Sequence, residues 1–427
     1  MKPKLIFSPI AYIAALKHFE RLVPYLKDKY DISFLFICAN TVRGREAIEY
    51  CKKKNYEFYV INKGFTKDQR IRIPFVTPLW GRYIHSVACR DFLDSVKPVK
   101  IIAAKSTPMH DTILKEANRK GIETVALQWA SPVIRFSSLT KSHERKHTWI
   151  RRIYLYLLKI FSSILDIFYK EPRFGLTSAM PKKVGVFDED EKQNGMGKRY
   201  NPNIVHVVGS PDIQLVHELK QKIDSSLSLK KQLLDKYDLS ENKLKIIVFL
   251  FRFYRVPDYK KDRSQRIMTI PEYIILHSKL FKAIRSVFSV EEADIILKMH
   301  PSESSEKEDM KSIYETYRDD FGVKIYGGSG EARTEELGSL SDLCISIPPT
   351  SANCVVLGTD IPAIFINLSE LKAVNNVAPH FGIKHVVDNT DEFIDLLKQF
   401  KNGTLPKQYD NSNTNFKSID SVVKLIG

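Results

Sequence analysis

The chain has 427 residues, with 66 basic against 50 acidic side chains, a net charge of +16, and 43% apolar and 27% charged residues. That length exceeds one ordinary core, so two domains are expected, and the apolar share excludes wholesale disorder. The positive excess implies an anionic partner (nucleic acid, phosphorylated ligand or membrane surface), against the plainer alternative of a solvated basic face.

Cys38, Cys51, Cys89, Cys344 and Cys354 form no CxxC pair and no metal-finger spacing. Thiols inside apolar runs read as reduced and packed, which fits a cytosolic compartment. The opening MKPKLIFSPIAYIAALKHFE lacks a small-residue cleavage site and reads as a first strand and helix, not a signal peptide.

Strand-like and helix-like segments then alternate. KLIFSP precedes a helical pattern over 11–28; ISFLFICA precedes a helix over 45–55; YEFYVIN follows. After a longer connection come a helix over 82–96, the strand KIIAAKS, a helix over 110–121 and the strand ETVALQW. Buried apolar strands alternating with amphipathic helices predict a doubly wound parallel sheet. VHVVGSPDIQL, with Gly209 and Pro211 at its turn, reads as the domain boundary, giving domains 1–210 and 211–427. The pattern restarts at 244: LKIIVFLFR, a helix over 271–288, ADIILKMH, a helix over 307–320, VKIYGG, a helix over 331–339, LCISI, a helix over 351–358, and PAIFIN. The fold class is therefore α/β, two Rossmann-like sheets facing a cleft, with a terminal helix at SIDSVVKLIG that can cross back to the first domain.

Residues 141–170 interrupt the alternation. An aromatic-rich apolar helix containing Lys159 and Asp166 follows a basic cluster of Lys141, Arg145, Lys146, Arg151 and Arg152. It is short for a comfortable span. The pattern is read as an interfacial helix on an anionic leaflet, with a pair of buried helices packed on the first domain as the alternative.

Three stretches carry candidate chemistry, all at expected carboxyl ends of the second sheet. PPTSAN places Thr350, Ser351 and Asn353 where a helix should begin; one hydroxyl is explained by capping, and two beside free amides suit a phosphate. In LKMHPSES, His300 and Pro301 end a buried strand, and His300 and Ser302 can donate to a phosphate oxygen. Arg252 and Arg255 follow the strand VFLF, and Gly328 lies in a glycine run that lets the backbone approach a flat ligand or simply makes a turn.

The strand ending in HP, the G-x-P-D hinge and the late SD…TS…N…LG-x-P stretch together resemble the second half of GT-B glycosyltransferases, over roughly residues 205–370. More narrowly they resemble bacterial polysialyl and Kdo transferases of capsule assembly and CDP-glycerol-type polymerases. The resemblance implies that His300, Pro301, Thr350 and Ser351 bind the nucleotide phosphates, with Thr350 standing where those families carry Ser. It implies no cofactor beyond the nucleotide-sugar substrate and no bound metal. No DxD-like constellation suited to holding a cation is present; the acidic DEDE at 188–191 reads as a solvated loop.

The first domain would bind the acceptor and supply the general base. Where the resembled families close a turn with a Q-H-G-like motif, this chain has Trp129, so the base stays open among Asp111, His110, His18 and Glu20. Asp111 is equally an acidic residue in a helix's first turn. The resulting expectation is a cytoplasmic glycosyltransferase, peripheral on the inner face of the membrane. It would use a nucleotide-sugar donor, CMP-linked Kdo or sialic acid before a UDP-sugar. Its acceptor would be a glycan or glycolipid of capsule or lipopolysaccharide assembly, with no nucleic-acid partner. The rivals are a UDP-GlcNAc 2-epimerase-like enzyme, whose glycine-rich, glutamate-paired stretch is missing at PPTSANCVVLG, and a basic nucleic-acid binder.

Overall fold

The computed structural model describes residues 2–9, 13–37, 42–62, 76–104, 108–128, 156–157, 160, 181–193, 197, 200–249, 270–299, 308–327, 333–346, 353–367, 383–410 and 414–427. Their packing divides into two compact units, the first holding residues up to Pro211 and again from Lys417, the second Asp212–Phe416.

The first unit is built on seven parallel strands: β1 Lys4–Ser8, β2 Asp31–Ile37, β3 Phe58–Ile61, β4 Lys100–Ala104, β5 Glu123–Leu127, β6 Lys183–Val186 and β7 Val205–Val207. They lie in the order β3-β2-β1-β4-β5-β6-β7. The second has five: β8 Leu244–Phe249, β9 Ala293–Lys298, β10 Val323–Tyr326, β11 Leu343–Ser346 and β12 Ala363–Phe365, ordered β10-β9-β8-β11-β12. All pairings within both sheets are parallel. The strand order reverses between β1 and β4 and again between β8 and β11, the switch points outside which such sheets bind ligands.

These strands are continuous apolar runs because both faces are covered. In the second unit Ile246, Val248, Ile295, Leu297 and Ile345 pack in one core cluster, while Ile247, Phe249, Ile296 and Cys344 pack in another. Consecutive side chains point to opposite faces, so one strand feeds two cores. Cys51, Cys89 and Cys344 are buried.

Several sequence expectations are corrected. The helix over 11–28 is two helices, Ile13–Glu20 and Val23–Leu26. Pro24 lacks an amide hydrogen and its ring opposes the carbonyl four residues earlier, so the first helix stops at Glu20. Asp188–Glu191 is no loop: Asp188 Oδ1 accepts from the Glu191 amide at 2.7 Å, opening the helix Glu189–Gln193, and Glu191 is buried. The sequence reading also passed over β6, the helices Pro211–Ser225 and Leu227–Lys236, and the helix Thr390–Lys401.

Gly209 turns with φ +79°, a left-handed conformation that suits glycine, and Pro211 opens the next helix. The last helix, Ser418–Ile426, belongs to the first unit. Its carbonyl end is received by side chains: Lys100 Nζ donates to Ile426 O, Lys183 Nζ to Leu425 O at 3.0 Å, and Tyr30 to Gly427 O at 3.3 Å. Cations at a helix C-terminus satisfy orphan carbonyls and meet the negative end of its dipole.

Candidate functional site

The register of the second sheet aligns its last residues. Tyr326 lies opposite Lys298, Lys298 opposite Phe249, Phe249 opposite Ser346, and Ser346 opposite Phe365. One transverse row therefore closes the carboxyl edge, and neighbouring strands in such a row stand about 4.8 Å apart. Each candidate segment leaves from this row: Gly328 two residues after Tyr326, His300 two after Lys298, Arg252 three after Phe249, and Thr350 four after Ser346. β9 and β11 flank β8 on either side, so the strands leading to His300 and Thr350 end on the same edge. Arg252, Arg255, His300, Pro301, Ser302, Gly328, Thr350 and Ser351 themselves lie outside the described residues. Asn353 is the first residue of the helix Asn353–Thr359. With seven residues this helix offers only a small dipole, so hydroxyls and cations would have to carry most of an anion's stabilisation.

The helix Asn353–Thr359 is held closely. A Cβ added to Gly358 would stand 2.8 Å from Ile213 O and 2.9 Å from Val216 Cβ, so its glycine permits the approach of Pro211–Ser225. His217 Nδ1 donates to Gly358 O at 3.1 Å.

At the outer end of the row a polar network fixes the segment after β10. Tyr326 donates to Tyr237 O, and Tyr237 donates to Glu336 Oε2. Lys236 Nζ reaches the same oxygen at 2.5 Å, and Arg333 lies 3.7 Å from the other. Burial raises the Glu336 pKa, but the bonds from Lys236 and Tyr237 outweigh it and hold the carboxyl below its usual range. Burial pushes the Tyr326 hydroxyl up to about 12, so it stays a donor. The sequence reading missed these residues; the signal was Glu336, in the first turn of a short helix and directly before the buried Leu337.

Beside Tyr326, Lys298 is buried and its Nζ donates to Met299 O at 3.2 Å and to Gly327 O at 2.9 Å. Desolvation lowers its pKa, partly opposed by the charge of Glu335.

Of the four candidate bases in the first unit, His110 and Asp111 stand in the first turn of the helix Pro108–Arg119, directly after β4 at the switch point. His18 and Glu20 lie on the helix Ile13–Glu20. His18 is 3% exposed with its ring against Phe19 and Phe187, and burial, aided by Arg21, pushes its pKa down to about 3. So weak a base does not serve near neutral pH. Glu20 accepts from the hydroxyls of Tyr50 and Tyr56 at 2.8 and 2.9 Å, which ties it to packing. No group of residues suited to a metal ion is found among the described residues.

No protein-family model matches the chain, and no curated protein matches it in sequence. Solved structures do match it along its whole length. UDP-GlcNAc 2-epimerase from Methanocaldococcus jannaschii is similar with a TM-score of 0.57 at 12% identity, covering 100% of this chain and 99% of that one. The Neisseria meningitidis UDP-GlcNAc 2-epimerase bound to UDP-GlcNAc gives 0.57 at 11% identity, with the same coverage. MurG from Acinetobacter baumannii, a GT-B glycosyltransferase, gives 0.51 at 13% identity, again covering 100% and 99%. The fold is GT-B. At these identities the likeness speaks for the GT-B architecture, two Rossmann-like units with parallel sheets, and the chemistry is argued from this chain's own residues.

Proposed function

We propose that this GT-B protein is a nucleotide-sugar enzyme that binds a UDP-linked sugar at the carboxyl edge of its second sheet and cleaves the bond between anomeric carbon and phosphate oxygen. The observation that carries the reading is the closing row from Tyr326 to Phe365, which starts the His300, Arg252, Gly328 and Thr350 segments from one edge across the switch point. Hydroxyls of Thr350 and Ser351, the imidazole of His300 and the guanidinium of Arg252 would donate to the phosphates. The UDP leaving group would gain charge there as the bond breaks.

Between the two reaction classes, the solved neighbours support a 2-epimerase-like reaction more than transfer from a CMP-linked acidic sugar, for which they give no support. Epimerisation with loss of UDP removes the C2 proton as the anomeric C–O bond breaks, and water then adds across the resulting double bond, hydroxyl to C1 and proton to the opposite face of C2; His110 and Asp111 are the candidate bases. Glycosyl transfer from a UDP-sugar is the second reading, favoured by the full-length likeness to MurG. It would use the same phosphate site, with the base acting on an acceptor hydroxyl.

Attachment to an anionic membrane surface through residues 141–170 belongs to this second reading. The described residues of that segment, Tyr156, Leu157 and Ile160, are helical and exposed at 65%, 47% and 42%. Among the described residues no helix is long and apolar enough to cross a membrane.

The test is incubation of the full chain with UDP-GlcNAc, without and with a glycan or glycolipid acceptor. Release of UDP together with a 2-epimerised sugar, no acceptor added, is the expected result. UDP release that requires the acceptor would replace it with transfer. Tighter binding of CMP than of UDP in calorimetry would overturn the UDP reading in both forms.

A further inference from the structure

We propose that Lys298 is a further phosphate-binding residue, a buried ammonium at the end of β9 that ties two strand ends together and presents its remaining N–H to an anion. This deepens the reading of the carboxyl edge as a phosphate site and rests on it for the identity of the nucleotide.

The geometry is specific. A lysine ammonium has three donors. Two are used, on Met299 O at 3.2 Å and Gly327 O at 2.9 Å, which bridges the ends of β9 and β10 just before His300 and Gly328. The residue is 6% exposed, yet it forms no ion pair among the described residues; Glu335 acts on it only from beyond contact distance. Carbonyl dipoles offset part of the desolvation, and a buried ammonium without a carboxylate remains costly.

The other buried lysines of these sheets lie at the opposite edge. Lys100, at the start of β4, is 5% exposed and meets Glu123 at 3.0 Å. Lys245, near the start of β8, is also 5% exposed; like Lys298 it forms no ion pair among the described residues, its Nζ donates to Glu241 O at 3.1 Å, and the charges of Asp342, Asp294 and Glu241 oppose the effect of its burial. Both stand at amino edges, where a parallel sheet binds no ligand. Lys298, whose burial is opposed by the charge of Glu335, stands at the edge where a ligand is expected. A phosphate there would supply the missing charge. Lys298 is also placed among the candidate segments: β8, whose end leads to Arg252, is its neighbour on one side, and β10, leading to Gly328, on the other.

The experiment is calorimetry on the full chain with UDP, uridine and inorganic pyrophosphate, comparing wild type with Lys298→Met and Lys298→Gln. The glutamine variant keeps N–H donors for the two carbonyls and removes the charge, and the thermal midpoint reports whether each variant folds. In wild type, UDP should bind at least tenfold more tightly than uridine. Both variants should lose that advantage and bind pyrophosphate at least tenfold more weakly, with uridine affinity unchanged. Three results would overturn the proposal: UDP and pyrophosphate affinities unchanged in folded variants, equal loss for UDP and uridine, or a wild type that binds neither phosphate-bearing probe. Pyrophosphate binding that depends on Lys298, with no UDP or uridine binding, would sustain the anion site and remove the nucleotide reading.

Discussion

The amino and carboxyl edges of these sheets treat charge in opposite ways. At the amino edge of the first sheet, Lys4 meets Glu57 at 2.7 Å and Asp31 at 3.2 Å, while Glu123 is shared by Lys100 at 3.0 Å and Lys183 at 2.8 Å. At the amino edge of the second, Lys324 lies 3.6 Å from Asp294, whose other oxygen accepts from the Ser240 amide at 2.9 Å. At the carboxyl edge of the second sheet, Lys298 donates to two carbonyls and forms no ion pair among the described residues; Lys245, at the amino edge, also donates to a carbonyl, but three acidic side chains oppose its burial. Paired charges close an edge and belong to folding. On the proposal made for Lys298, a buried ammonium at the carboxyl edge would leave that edge ready for an anion.

Four measurements would break or sharpen that contrast. The largest effect is expected at the carboxyl edge: the double variant Thr350→Ala, Ser351→Ala should lower turnover of the UDP-sugar on the order of 100-fold or more while leaving the thermal midpoint in place. An unchanged rate would remove those hydroxyls from the phosphate site. Next comes the paired edge, where Glu123→Ala strips the carboxylate from Lys100 and Lys183. Burial raises the Glu123 pKa, but the bonds from Lys183 and Lys100 outweigh it and hold the carboxyl low. Losing one partner of a fully buried pair costs about 3–5 kcal/mol; with Glu123 30% exposed, about 2 kcal/mol in urea unfolding is expected. Unaltered stability would show that carbonyls alone satisfy a buried lysine, and would weaken the case for Lys298.

The third measurement is pH dependence. His18 in the first unit and His277 in the second are buried, with pKa values pushed down to about 3 from an ordinary 6.5 by desolvation. The unfolded chain then binds more protons than the folded one between those values. Stability is full above about pH 6.5 and falls as pH drops through that window toward 3. His277→Phe should flatten the slope of unfolding free energy against pH; an unaltered slope would place the acid sensitivity elsewhere. The smallest effect is expected for Lys4→Met. Its partner Glu57 is 47% exposed, so the loss should stay under about 1 kcal/mol and shrink with salt. A larger loss would show that exposed charge carries more of this fold than the contrast allows.

Much of the second sheet was legible in the chain. LKIIVF, ADIILK, VKIY, LCIS and AIF are all strands, because a run buried on both faces is apolar throughout and needs no knowledge of its neighbours to be recognised. KVGV at 183–186 was not recognised: it is four residues long, and Gly185 sits where a Cβ would come within 2.6 Å of Leu127, so close packing, not local preference, makes it a strand. The site was legible as motifs but not as partners. His300 drew attention and Lys298 did not, since a lysine inside ADIILKM reads as an ordinary strand end until its carbonyl acceptors are known.

By itself the sequence determined the alternation of strands and helices, the two parallel sheets and the segments that leave their carboxyl ends, because periodicity and burial are written residue by residue. The tertiary structure decided the strand order, the row that sets Tyr326, Lys298, Phe249 and Ser346 side by side, and which lysines found a carboxylate. It also decided that His18 is buried. Those outcomes depend on residues distant in the chain, and the dielectric around a charged group exists only once they have come together.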